Sequence, residues 1–164
     1  MKLGIVLLTC CLLFSCASNN NIPKPTTLGQ LDGAELRLKV LVEAPGTLFA
    51  RDSKLEVTFD SGSGKTTESF PIKLLGVEKV EEGISLFSSD IDYNSHLVAV
   101  DDESMDAFLA FLENNADAAF TVRLSPAFTN LPNRAKMYYA TFVRMNRLGE
   151  YEPLVSHMQI DVPK

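Results

Sequence analysis

Few residues of this chain are of a type that does chemistry, and their spacing decides what they could do. Its two histidines, His96 and His157, stand far apart, and neither has a ligand-type residue at the spacing that a coordinating hairpin or helix supplies. Serines and aspartates are plentiful, but no spacing selects a Ser-His-Asp set from among them. All three cysteines, Cys10, Cys11 and Cys16, fall at the extreme N-terminus, so the rest of the chain has no thiol nucleophile. The expectation is therefore a protein without catalytic residues or a cofactor, whose histidines are ordinary strand or surface residues.

Two loops carry partial ligand-binding patterns. Gly62-Ser63-Gly64-Lys65-Thr66 ends like a phosphate cradle. The glycine that should precede its Gly-Lys pair across four residues is Phe59, and the segment after the loop alternates and contains Pro71 instead of starting a helix. Without a helix N-terminus such a loop loses its phosphate donors, and a hairpin turn is expected. Asp90, Asp92, Asn94 and Asp101 half match a calcium loop, whose oxygen ligands alternate and whose last ligand is acidic. Ser95 replaces its turn glycine, Val98 takes a ligand position, and Asp101 is shorter than the usual glutamate. A solvated acidic loop is expected, with calcium binding as an alternative.

The N-terminus is more specific. Lys2 is followed by an apolar run from Leu3 to Phe14, about a dozen residues, which suits an exported signal and falls short of the ~20 needed to span a bilayer. The run ends in Leu13-Phe14-Ser15-Cys16, which resembles the lipobox of bacterial lipoproteins, with Phe14 departing from the smaller residue usual there. The resemblance implies cleavage before Cys16 and acyl chains, palmitate among them, on that residue. More than one chain is needed for durable anchoring. Ala17 in place of Asp implies the outer membrane, facing the periplasm, in an organism with two membranes.

Removing 1–15 takes away one lysine and no acid, leaving 14 basic residues against 21 acidic ones, or −7. That balance argues against nucleic acid as a partner. Residues 16–31 are rich in Asn, Pro and Thr without apolar periodicity and read as a lipidated tether. Residues 32–164 are one domain's worth of chain, held by packing alone, because no disulfide is available.

In that domain alternation dominates. Leu36, Leu38, Val40 and Val42 share one face, with Arg37, Lys39 and Glu43 on the other. Leu55-Val57-Phe59 and Phe70-Ile72-Leu74 flank the glycine-rich turn, and Pro71 places the second run at an edge or bulge. Further strands are expected near 84–87, 96–100, 120–124, 137–145 and 154–162. One helix interrupts them: Met105, Phe108, Leu109 and Leu112 form a stripe that should lie on a sheet, capped by Asp101 or Asp102 and stopped at Asn114-Asn115. The fold class expected is mainly β, an antiparallel β-sandwich of immunoglobulin-like or transthyretin-like character with one short amphipathic helix, and a single sheet with the helix packed on one face is the alternative.

The run 137–145 is apolar on both faces, with Met137, Tyr139, Val143 and Met145 on one and Tyr138, Ala140 and Phe142 on the other. Its two-sided character predicts a central strand covered by the second sheet and the helix. Alternatively, one face lines a groove, with Tyr138, Phe142 and the loop residues Phe128 and Leu131 as partner-binding anchors. Phe128 and Leu131 could equally plug an end of the sandwich. The function expected is a membrane-anchored, non-enzymatic accessory factor that binds another envelope protein. A carrier of lipid or small hydrophobes, or a calcium-binding envelope protein, is the alternative.

Overall fold

The computed structural model describes residues 32–80, 91–116 and 118–162. The signal peptide, the lipidation site Cys16, the tether, the strand expected near 84–87, Asp90 and the orientation of the His157 side chain lie outside the described residues.

Among the described residues nine strands and one α-helix follow in order: β1 (Arg37–Glu43), β2 (Thr47–Leu48), β3 (Lys54–Asp60), β4 (Lys65–Val80), β5 (Tyr93–Val100), α1 (Asp102–Glu113), β6 (Ala119–Ser125), β7 (Phe128–Thr129), β8 (Lys136–Arg144) and β9 (Glu152–Asp161). Seven of them form one antiparallel sheet in the order β6-β3-β4-β5-β1-β8-β9, and β2 and β7 pair separately. The strand β4 is long enough to serve two neighbours. Its first part pairs with β3 as far as Pro71, opposite Lys54, and from Ile72, opposite Val100, it pairs with β5. Pro71 thus stands where the partner changes, a place that tolerates a missing N–H. Its carbonyl accepts from the Asp101 N–H at 2.9 Å. The mainly β, sandwich-like architecture is as expected, with its two layers continuous through β4, so that the sheet curls nearly into a barrel.

The faces follow the sequence alternation. Leu38, Val40 and Val42 of β1, Leu55, Val57 and Phe59 of β3, Val98 and Val100 of β5, Phe120, Val122 and Leu124 of β6, and Met137 and Val143 of β8 fill one core. The turn after β3 is a hairpin, as expected. Gly62 has φ +76°, a conformation that favours glycine, and its N–H is held by the Asp60 carboxylate at 3.1 Å.

The helix corrects one expectation, that of the cover over β8. It is capped by Asp101, whose carboxylate accepts from the Glu103 N–H at 3.2 Å, and it ends at Asn114 as expected. Its apolar stripe packs on β4 and β5 as expected. Phe108 and Leu112 enter the core between the layers, and Phe111 joins them by packing on Phe59 (5.2 Å between ring centres) and Phe70 (5.7 Å), while Leu109 stays partly exposed. The helix closes one side of the barrel, against β4, β5 and the 3-10 turn Gly33–Glu35. The outer cover of β8 is accordingly not the helix: there Leu41, Tyr93 and Ala140 form a second small cluster joined by Ile91 and Phe142. No helix among the described residues is long and apolar enough to cross a membrane.

Candidate functional site

Two of the buried polar side chains among the described residues are titratable, His96 and Glu43. His96 is on the core face of β5, between Val40 of β1 and Val77 of β4, and is 1% exposed. Its Nε2 accepts from the Leu48 N–H at 3.2 Å, which assigns the ring proton to Nδ1. Nδ1 is buried without an aligned hydrogen-bond acceptor. Burial holds the imidazole pKa below its ordinary range, against the pull of the Val40 and Asn94 carbonyls. The group ties β2 to the sheet as a neutral acceptor, and its seal from solvent leaves it no substrate with which to exchange a proton.

A pH dependence of stability results. Above pH ~6.5 both folded and unfolded chains carry neutral imidazole, and the contribution of His96 is complete. As the pH falls, the unfolded chain takes up the proton first, so stability is lost until the pH passes the folded pKa, by at most about 1.4 kcal/mol per pH unit. Urea midpoints measured from pH 7.5 down to 5 are expected to fall for the native chain and to fall less for His96→Gln. Coincident profiles would refute this role.

The second buried group is Glu43, 3% exposed on the outer face of β1. It forms an ion pair with Arg134 and accepts from the Tyr138 N–H at 3.0 Å. It is a satisfied structural carboxylate that fastens the start of β8 to β1.

Of the described residues of the half-matched calcium loop, Asp101 is not brought together with Asp92 and Asn94. Asp92 lies 3.9 Å from Lys79, the Asn94 amide donates to the Gly46 carbonyl at 2.9 Å, and Asp101 caps α1. Between Asn94 and Asp101 runs the extended strand β5, which separates them by roughly 20 Å at the usual rise per residue. Among the described residues no group of three or more His, Cys, Asp or Glu side chains is placed to hold a metal ion.

The four partner-binding residues divide between the two faces of β8. Phe128 stacks on Tyr139 with ring centres 5.1 Å apart, and both Phe128 and Leu131 pack against the main core as end plugs. Phe142 packs on the outer cluster, and the Tyr138 hydroxyl donates to Gln159 Oε1 at 3.0 Å. Phe128 and Leu131 thus lie on the core side of β8, and Tyr138 and Phe142 on its outer side, all four partly buried. Met145 packs inward and Tyr139 shares that face, so neither can line a cavity with Phe142. A small pocket of about 200 Å³ beside the β8–β9 turn is lined instead by Val143, Met145, Asn146, Gly149, Glu150 and Glu152.

The surface that sequence reasoning missed is on β4. Residues 72–80 pair with β5 on one edge; among the described residues no strand pairs with the other, although the 3-10 turn Ala50–Asp52 that leads into β3 packs against β4. Leu74, Leu75 and Val77 there are 44%, 44% and 51% exposed. Leu74 and Val77 stand opposite Val98 and His96, which face the core, and among the described residues no strand pairs with β4 on their other side. Leu75 is the extra residue of a bulge between Leu74 and Gly76. A signal was present: adjacent leucines break the alternation, and one of two neighbours in a strand must point away from any single core.

No protein-family model, curated protein or solved structure matches this chain.

Proposed function

We propose that this chain is an envelope lipoprotein, anchored through acylated Cys16 to the periplasmic face of an outer membrane, whose β-domain binds an extended segment of another envelope protein without catalysing a reaction. The observation that carries this reading is the edge of β4 beyond Pro71, which no described strand pairs, with its exposed Leu74, Leu75 and Val77. An added strand gains main-chain hydrogen bonds from such an edge and side-chain specificity from the apolar residues beside it. Sheets ordinarily guard open edges with charges and bulges. Here Lys73, Glu78, Lys79 and the Leu75 bulge limit self-pairing, while the apolar strip stays available.

A photo-crosslinking amino acid placed at position 75 in intact cells tests this, with position 109 on the exposed side of α1 as control. Adducts to one envelope protein from position 75 and not from 109 are expected. Recovery of phospholipid alone, or equal capture from both positions, would overturn the proposal.

A further inference from the structure

We propose that the end of the domain formed by the β8–β9 turn and the start of β1 docks on the phospholipid bilayer, with Leu148 entering the interface and Arg37, Lys39, Arg144 and Arg147 meeting headgroup phosphates. This deepens the reading of Cys16 as the anchor and depends on it.

Leu148 is 95% exposed, against 51% for the next most exposed large apolar side chain, Val77. A built turn holds it there: its N–H donates to Asn146 Oδ1 at 3.1 Å, and the Gly149 N–H donates to the Asn146 carbonyl at 3.3 Å. The tether leaves from this same end, because the Asp32 N–H donates to the Met145 carbonyl at 2.9 Å, beside the turn. Residues 17–31 reach at most ~50 Å extended, so an anchored Cys16 holds this end within that distance of the membrane.

The charges at this end are segregated by face. Arg37 and Arg144 stand directly opposite one another on the outer face of β1 and β8, and Lys39 follows on the same face. Lys39 Nζ lies 4.4 Å from the centre of the Tyr151 ring, and the Arg144 guanidinium lies 5.4 Å from it. Like charges opposed across strands disfavour each other unless an anion joins them. None of the four cations has a carboxylate partner among the described residues; Arg37 donates to the Ala34 and Leu36 carbonyls, both at 2.9 Å, and Arg144 Nε has no hydrogen-bond partner. Of the acids nearby, Glu152 stands opposite Val143 and lines the pocket with Glu150 on the other side of the hairpin. Asp32 accepts from the Ala34 N–H, and Glu35 belongs to the 3-10 turn. An exposed apolar tip, an interfacial tyrosine and unpaired cations on one face suit a bilayer of zwitterionic and anionic lipids, although the chain as a whole is acidic.

The chain has no tryptophan, so Leu148→Trp introduces a single indole reporter. In the lipidated full-length protein on vesicles of phosphatidylethanolamine and phosphatidylglycerol, its emission is expected to shift to shorter wavelength and to be quenched by brominated acyl chains, whereas Asn133→Trp, exposed in the loop before the opposite end of β8, is unaffected. Lys39→Gln with Arg147→Gln in the same background is expected to lower the docked-to-undocked ratio about ten-fold or more. Flotation with vesicles and an unquenched indole at position 148 would overturn the docking while leaving the anchor intact. Cys16→Ser is expected to abolish flotation at high salt; if it does not, the anchor reading itself fails.

Discussion

Phe108→Ala is expected to lower the stability of the domain by about 4 kcal/mol, near the top of the range for truncating a core side chain. Phe108 is fully buried between the layers, its ring centre 5.0 Å from that of Phe70 in an edge arrangement, and it belongs to an aromatic group that Phe59, Phe111 and Phe120 complete. Truncation removes both the transfer free energy of the ring and its contacts with neighbours that a sheet on one side and a short helix on the other can only partly close up. A loss of this size is a large share of the roughly 5–15 kcal/mol typical of a domain. Leu109→Ala, one residue along on the exposed margin, is expected to cost far less. Urea denaturation of the two variants measures the difference, and similar losses would mean that the helix does not plug the barrel through Phe108.

Arg134→Ala is expected to cost about 3 kcal/mol, because it leaves the Glu43 carboxylate buried and uncompensated. Arg134 is itself half exposed, which places the value at the lower end of the range for breaking such a pair, since water reaches its outer side. Glu43→Gln in the Arg134→Ala background is expected to recover most of the loss: a neutral amide carbonyl still accepts from the Tyr138 N–H, and no charge remains to be desolvated. If the double variant is no more stable than Arg134→Ala alone, the destabilisation comes from lost packing and not from the stranded charge.

The two effects differ in how visible their sources are in the sequence. Phe108 stands in the helical stripe that names it as core, and Asp101 caps the helix as its position implies. Arg134 lies in a loop far along the chain from Glu43, and nothing local connects them. His96 is an intermediate case. It shares parity with Val98 and Val100 along β5, a signal of inward orientation, but a polar residue in a short run looks locally like an ordinary strand or surface histidine. The Leu74-Leu75-Gly76-Val77 run likewise breaks the alternation visibly, while its meaning depends on β3 having no residues left to pair beyond Pro71. Phe128 and Leu131 are legible as large apolar residues in a loop; only their packing against Tyr139 and the main core distinguishes plug from anchor.

The longer strands, the helix and its cap, the glycine-rich hairpin and the inward side of the alternating strands were determined by the chain's own periodicity, because which face is apolar is a local property of a two-residue or 3.6-residue repeat; the two-residue strands β2 and β7 were not. Which strand lies beside which was not. That β4 serves two partners, that the helix closes the barrel and that Leu74, Leu75, Val77 and Leu148 are left uncovered are outcomes of long-range packing. Burial is shared between segments distant in sequence, so a residue's own neighbours cannot report whether anything will arrive to cover it.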